Sequence, residues 1–221
     1  MAAPKGTARR KAAEKPQATR TRRVAASTRA EIISLATAFF ADSSYHAASL
    51  RQLADRAGIR AASIYYHFKS KEELLASIII DTVDDLFREL SEIMADNVDP
   101  RERLRRIVTA HLRHCVSRPE ETRLILEQSH FLGPDTLDAV RAKQRMMFEF
   151  YRNCIAACFA PGAEGVQKPS VLALNALGVI NNFARWARPD PEKGFGPITD
   201  QTTSFILAAV FEHSRYEAHP A

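Results

Sequence analysis

Apolar residues recur along this chain at the three- and four-residue spacing of amphipathic helices from about residue 27 onward, and no stretch shows the regular alternation of a half-buried strand. Proline and glycine separate the apolar segments, for example at Asp99-Pro100 and Gly133-Pro134. The pattern therefore predicts an all-α fold. The predicted helices cover residues 27–42, 49–57, 60–68, 71–95, 101–116, 118–130, 134–159, 170–187 and 198–216.

The second and third of these helices are short and are joined by a tight turn. Ser49 and Gln52 have the spacing of a capping box, which marks the start of the first short helix. Gly58 ends it, since glycine readily adopts the positive φ that such a turn requires. This layout is typical of a helix-turn-helix, whose second helix enters the DNA major groove. A three-helix DNA-binding domain is thus predicted, with helix 27–42 packed across the pair.

The second short helix presents different residues on its two faces. Ile64 and Phe68 share one face and are predicted to pack in the core. Tyr65 can either face DNA or pack, and packing is favoured. Lys71 follows at the N-terminus of the next helix, where free N–H groups and the helix dipole favour a phosphate. The predicted DNA-binding residues are Arg29, Ser49, Arg60, Ala61, Ser63, Tyr66, His67 and Lys71.

Several residues in one register resemble the DNA-binding signature of TetR-family transcriptional regulators. They are Leu53-Ala54, Gly58-Ile59, Ile64-Tyr65, His67-Phe68 and Lys71-Glu72-Glu73-Leu74, and the resemblance covers about residues 28–80. It implies a helix-turn-helix domain followed by a helical domain that binds an effector and dimerises. The family usually carries Ser or Thr where this chain has Arg60, which can contact guanine or phosphate. The family also usually has glycine where Ser44 precedes Tyr45.

Basic charge is concentrated at the N-terminus. Residues 1–29 hold nine basic residues and one acidic residue, a net charge of +8 that leaves −3 of the total +5 to the remainder. Such a tail suits phosphate contact, and for residues 1–20 a solubilising leader is an equal alternative. For Arg22 and Arg23 a DNA contact is favoured. The predicted domains are a disordered tail 1–26, a DNA-binding domain 27–72 and a helical effector-binding and dimerisation domain 73–221.

The last two predicted helices are apolar on nearly all sides. Leu174, Leu177 and Ile180 in one, and Phe205 and Leu207 in the other, leave little polar face. A helix of this kind is covered by its neighbours, and in a chain of this size a partner subunit is the expected cover. The sequence therefore predicts a homodimer, and its twofold symmetry predicts a palindromic operator on double-stranded DNA.

Methionine and aromatic residues in the second domain suggest a pocket for a small hydrophobic effector, with ordinary core packing as the alternative at each position. The stretch Arg185-Trp186-Ala187-Arg188-Pro189 resembles the end of the corresponding helix in TetR-like regulators of lipid and steroid breakdown, some of which respond to acyl-CoA thioesters. Cations at a helix C-terminus are the alternative explanation there. The predicted ligand-binding residues are Phe87, Met94, Phe131, Met147, Phe150, Tyr151, Asn181, Arg185 and Trp186.

Other chemistry is poorly represented in the sequence. Zinc on His111, His114 and Cys115, or on Cys154 and Cys158, is an alternative to packing. The chain has no catalytic motif, secretory signal or apolar run long enough to span a membrane, so we predict a cytoplasmic protein that is not an enzyme and has no cofactor. The predicted function is a ligand-responsive transcriptional regulator, a repressor released by its effector. An architectural DNA-binding protein without an effector is the alternative.

Overall fold

The computed structural model describes residues 17–42, 45–159 and 168–211, with side chains from residue 28 onward. Within these ranges the chain folds entirely from helices, and a lone bridge between Asp190 and Gly194 is its one β-type pairing. The helices are α1 (Gln17–Asp42), α2 (Leu50–Ala57), α3 (Ala61–His67), α4 (Lys71–Ala95), α5 (Pro100–Ser117), α6 (Pro119–Gln128), a 3₁₀ turn (Ser129–Phe131), α7 (Pro134–Ala156), α8 (Pro169–Trp186) and α9 (Gly196–Phe211). The predicted all-α fold is confirmed.

The helix boundaries follow the local signals in the sequence, with one large difference at the N-terminus. Helix α1 begins at Gln17, ten residues before the predicted start, so residues 17–26 of the predicted disordered tail are helical. The rest of that tail lies outside the described residues. The predicted end of the last helix, beyond Phe211, lies outside them too. The long helix predicted over 71–95 matches α4 at both ends.

The helix starts have identifiable chemical causes. Ser49 caps α2, because its hydroxyl oxygen accepts from the backbone N–H of Gln52 at 3.2 Å. In return, the side-chain oxygen of Gln52 accepts from the backbone N–H of Ser49 at 2.9 Å. Ser70 accepts from the Glu73 amide at 3.1 Å at the start of α4. Each of α5, α6, α7 and α8 begins with proline, whose fixed φ suits the first helical turn and whose missing N–H would have had no partner there.

Two buried clusters make up the core, and α4 belongs to both. Leu74, Leu75 and Ile78 lie in the cluster that also holds α1, α2 and α3. Leu86 and Leu90, about two and three turns beyond Ile78, lie in the cluster formed with α5, α7, α8 and α9. One continuous helix therefore joins the two clusters.

The first cluster also contains residues from outside the predicted DNA-binding domain. Leu124 of α6 and Val140 of α7 are buried against it. The boundary predicted between residues 72 and 73 falls inside the first turn of α4 and stays a prediction. Within the described part of the chain, no helix is long and apolar enough to cross a membrane.

Candidate DNA-binding surface and ligand cavity

The turn between α2 and α3 has the geometry that its sequence requires. Gly58 adopts φ 66° and ψ 25°, the left-handed conformation, and its N–H bonds to the last carbonyls of α2. Ile59 donates to the Ala54 carbonyl at 3.0 Å. Ile64 and Phe68 are buried, as predicted, in the cluster that also contains residues of α1, α2 and α4. The opposite face of α3 is therefore directed away from the protein.

That outward face carries two tyrosines. Tyr66 is 80% exposed, in agreement with its predicted place on the DNA side. Tyr65 is 54% exposed, so packing, the favoured one of its two interpretations, was wrong. Ile64 and Phe68 lie on the core face of α3 because they are four residues apart. Tyr65 lies just beyond the edge of that face, so only part of its ring contacts the protein. Arg60 is exposed, while Ala61, Ser63 and His67 are partly covered.

Lys71 has internal partners that the sequence did not indicate. Its Nζ donates to the Tyr45 carbonyl at 2.7 Å and to the Ala48 carbonyl at 2.9 Å, and lies 4.3 Å from the Tyr45 ring centroid. The lysine thus fastens the loop before α2 to the start of α4. This differs from the predicted free phosphate contact, because two of the three ammonium hydrogens are already used.

Two further predicted DNA contacts also have partners within the protein. Arg29 forms an ion pair with Asp81 of α4 at 3.2 Å, and its guanidinium lies 5.4 Å from the Phe68 ring centroid. Ser49 uses its hydroxyl in the α2 capping box. Arg29 thus links α1 to α4, and Ser49 fixes the start of α2. Their predicted role as direct DNA contacts is therefore less favoured than that of Arg60 and Tyr66.

Arg60 provides a test that separates stability from DNA binding. It is the N-cap residue of α3, and its side chain makes no capping bond to any described residue. We expect Arg60→Ser to raise the free energy of unfolding by about 1 kcal/mol, because serine caps the first turn, and to weaken operator binding at the same time. Urea unfolding and DNA titration measure the two effects.

Arg51→Ser is the matched control for the stability arm, since it removes the same charge from an exposed position inside α2. Serine has no cap to form there, so no stabilisation is expected. If Arg60→Ser binds operator DNA as tightly as the unmodified protein, Arg60 is not a DNA contact.

Lys71→Ala distinguishes a positioning role from a phosphate contact. Loss of two charge-assisted hydrogen bonds should lower the free energy of unfolding by about 2 kcal/mol and weaken operator binding. We expect the slope of log affinity against log salt to stay unchanged. A slope reduced by about one would instead show that a phosphate contact was lost, as expected from the sequence. Lys69→Ala is the control for the loss of stability, since it removes the same charge from an exposed neighbouring lysine.

A cavity of about 280 Å³ lies between α4, α5, α6, α7 and α8. We call it the ligand cavity. Its wall combines apolar side chains with hydroxyl, amide, imidazole and ammonium groups. The lining residues are Thr82, Val83, Leu86, His111, His114, Cys115, Thr122, Ile125, Leu126, Ser129, Lys143, Gln144, Met147, Leu177 and Asn181.

Met147 and Asn181 are the two predicted ligand-binding residues that line this cavity. Phe131 is elsewhere: its ring stacks on Tyr45 in the first cluster, with centroids 5.4 Å apart. Phe87 and Phe150 pack against each other at 5.2 Å. These three aromatic rings lie outside the wall of the ligand cavity, and their role as ligand contacts stays a prediction.

The remaining predicted ligand residues also lie outside the cavity wall. Met94 meets the Cys154 thiol at 3.6 Å and borders a second, smaller cavity with Phe150. Tyr151 is fully buried behind the wall. Arg185 pairs with Glu127 of α6 at 3.1 Å on the surface, and Trp186 is 49% exposed. Side-chain type alone does not distinguish these positions from cavity positions, since a helix face that packs in the core and one that lines a cavity have the same apolar pattern.

Two histidines of α5 were missed as ligand-cavity residues. His111 and His114 are both buried and both line the cavity. Burial lowers the pKa of His111 to about 3 and lowers the pKa of His114 as well, so both rings are neutral near pH 7. Their i, i+3 spacing on the buried face of the amphipathic α5 was the available signal, and the sequence alone pointed there to packing or zinc.

Metal binding and thiol chemistry find little support in the geometry. Across residues 28–42, 45–159 and 168–211, no three or more His, Cys, Asp or Glu side chains converge on one point. Burial raises the pKa of Cys154 and Cys158 to about 11, so both thiols remain protonated near neutral pH.

Helices α8 and α9 share an exposed apolar face. Leu174 is 61% exposed and Phe205 is 63% exposed, values that are high for large apolar side chains in a protein of this size. A groove of about 510 Å³ runs along this α8/α9 face. It is lined by Leu172, Leu174, Asn175, Ala176, Gly178, Val179, Phe205, Ile206, Ala209 and Val210.

The helix-turn-helix, the continuous α4 and the helical second domain together define a DNA-binding regulator. The family described as "Bacterial regulatory proteins, tetR family" matches residues 32–78, and "Tetracyclin repressor-like, C-terminal domain" matches residues 97–210, which is half of the chain. The chain therefore belongs to the TetR family of bacterial transcriptional regulators, as its resemblance implied.

Particular relatives are similar over part of the chain. The HTH-type transcriptional repressor KstR2 of Rhodococcus jostii (strain RHA1) is 40% identical over 81 residues, which cover 37% of this chain and 40% of KstR2. The HTH-type transcriptional activator FasR of Mycolicibacterium smegmatis is 32% identical over 113 residues, 51% of this chain and 52% of FasR. The match thus spans about half the length of these relatives or less.

The fold extends over nearly the whole of a solved structure. AibR, determined in complex with isovaleryl coenzyme A and operator DNA, has a TM-score of 0.69 and 24% sequence identity. The likeness covers 83% of this chain and 98% of AibR. At that identity it concerns the fold, which includes the helical second domain as well as the helix-turn-helix.

Proposed function

We propose that this protein is a homodimeric transcriptional repressor that binds a palindromic operator and is released from it by a small, largely apolar effector in the ligand cavity. The observation that carries the proposal is the placement of α4. Its first turns are buried against α1, α2 and α3, and Thr82, Val83 and Leu86 further along the same helix line the cavity. A ligand that prefers one position of α4 shifts the population of DNA-competent dimers.

The DNA side of the proposal depends on the exposed face of α3. Arg60 and Tyr66 are solvent-exposed beside the turn, on a helix held by two buried anchors. Side chains of this kind at the start of a recognition helix contact base edges in the major groove. The basic N-terminal segment adds sequence-independent affinity for phosphate.

The dimer side depends on the α8/α9 face. Two such faces brought together by a twofold axis form a four-helix interface and remove Leu174 and Phe205 from water. A dimer of this kind holds two copies of α3 about one turn of DNA apart, or a multiple of one turn. The operator is therefore expected to be palindromic.

The effector side depends on the size and chemistry of the cavity. A volume of about 280 Å³ is at the lower end of the range of ligand sites and suits a small apolar molecule or the acyl part of a thioester. KstR2 is named a repressor and FasR an activator, so both signs of regulation occur among the relatives. We favour release of DNA by the ligand over activation, because the ligand cavity lies against α4 and a ligand there can displace the helix that supports the DNA-binding domain.

Titration of the purified protein into fluorescent DNA from its own upstream region tests the proposal. The measurement is repeated with a series of acyl-CoA thioesters and with uncharged apolar compounds. We expect tight, salt-dependent binding that one class of compound reverses. Weak binding without sequence preference and with a steep salt dependence would favour an architectural DNA-binding protein instead.

A further inference from the structure

His111 occupies an unusual position in the wall of the ligand cavity. It is buried on α5, and its Nδ1 lies 2.9 Å from the hydroxyl oxygen of Tyr151 on α7. Tyr151 is fully buried and does not itself line the cavity. The two side chains therefore form a pair in which the tyrosine stands behind the histidine, and the histidine faces the ligand space.

The hydrogen bond determines which nitrogen of His111 carries the proton. In the described structure the Tyr151 hydroxyl has His111 Nδ1 as its one hydrogen-bond partner. If Nδ1 were protonated, the buried tyrosine hydrogen would have no acceptor, which is costly. Tyr151 therefore donates to Nδ1. The neutral imidazole then carries its own hydrogen on Nε2, as a donor.

Several other polar groups of the wall already have partners within the protein. Thr82 donates to the Ile78 carbonyl at 2.8 Å, and Thr122 donates to the Arg118 carbonyl at 2.8 Å, each within its own helix. Lys143 forms a close ion pair with Asp84. His114 has its Nδ1 3.7 Å from the Glu89 carboxylate. The two threonine hydroxyls are thus engaged, and the Lys143–Asp84 ion pair adds no net charge. His114 Nε2 is buried without a hydrogen-bond partner among the described residues, so it is the other candidate donor of the wall, and removal of the His111 imidazole separates the two.

We propose that the cavity selects an uncharged apolar ligand that carries an oxygen acceptor, such as a ketone, ester or thioester carbonyl, and that His111 Nε2–H donates to this oxygen. Tyr151 acts as a positioning residue that sets the tautomer. The inference rests on the proposed effector role of the cavity, and it adds the chemical class of the effector. A ligand without the oxygen leaves the buried donor unpaired and is rejected on that ground.

A matched pair of probes tests the oxygen requirement directly. Hexanophenone and hexylbenzene have the same carbon skeleton and differ in one carbonyl, which replaces a methylene group. We expect the full-length protein to bind hexanophenone about tenfold more tightly by calorimetry, the effect of one hydrogen bond to a buried donor. Equal affinities for the two probes would overturn the inference.

Three variants locate the effect. His111→Leu should abolish the tenfold preference, and His111→Gln, which keeps an N–H donor, should retain part of it. Thr82→Val is the matched control, because its hydroxyl lines the cavity but is already bonded within α4. It should leave the preference intact. A preference that survives His111→Leu in a protein that is folded by circular dichroism would assign the carbonyl to another donor and overturn the inference.

Nitrogen NMR of the histidine side chains reads the tautomer without a ligand. We expect His111 to be protonated on Nε2, and Tyr151→Phe to shift the proton towards a mixture of both nitrogens. Protonation on Nδ1 in the unmodified protein would overturn the assignment of the donor. Operator titration of the same samples distinguishes a failure of this inference from a failure of the proposed function. An unmodified protein that binds operator DNA but shows no carbonyl preference contradicts this inference and leaves the DNA-binding function intact.

Discussion

Leu174→Asp is expected to convert the protein to monomers and to weaken operator binding by a factor of about 10² to 10⁴. Leu174 is largely exposed on the α8/α9 face, so the substitution costs the isolated protomer little. In a dimer it places two carboxylates in an apolar interface, where burying an unpaired charge is prohibitive. Affinity falls because the two recognition helices then bind separately and the gain from simultaneous binding of two half-sites is lost.

Analytical ultracentrifugation and DNA titration measure the two effects on one sample. Leu35→Asp is the control, because Leu35 is an apolar residue of α1 that is partly exposed away from the α8/α9 face. It should leave the dimer intact. A dimeric Leu174→Asp protein with normal affinity would show that the subunits associate through another surface.

Tyr66→Ala is expected to weaken operator binding about tenfold to a hundredfold without loss of stability. The side chain is the most exposed large aromatic of α3 and makes few contacts within the protein, so its removal leaves the fold unchanged. A contact to a base edge contributes about 1–3 kcal/mol, and the loss should appear for the cognate operator rather than for random DNA.

Tyr66→Phe shows which part of the side chain is used. If the hydroxyl bonds to a base or phosphate, Tyr66→Phe should lose most of the operator affinity that Tyr66→Ala loses. If the ring packs on a thymine methyl, Tyr66→Phe should lose little of it. Arg113→Ala, at an exposed position of α5 far along the chain from α3, is the control for general effects of surface mutation. Unchanged affinity in Tyr66→Ala would mean that α3 presents a different face to DNA.

Local signals in the sequence were sufficient for the helices and for the helix-turn-helix. Caps such as Ser49 and Ser70, the left-handed Gly58 and the prolines at helix starts act within a few residues of themselves, so their effect is visible in the sequence. The buried anchors Ile64 and Phe68 follow from the helical period alone. The N-terminus of α1 was missed because a polar, basic segment without an apolar stripe gives no periodic signal.

The sequence by itself determined the all-α fold, the family and the outward face of the recognition helix, because these depend on spacing within single helices. The tertiary structure decided which polar groups are free and which are used. Lys71 proved to bind two carbonyls from a loop more than 20 residues earlier, and Arg29 proved to pair with a helix 52 residues later. The ligand cavity likewise depends on five helices meeting at one place, so aromatic type could not separate its wall from the core. His111 acquires its candidate role from Tyr151, a partner 40 residues away that only the packed fold brings within hydrogen-bond distance.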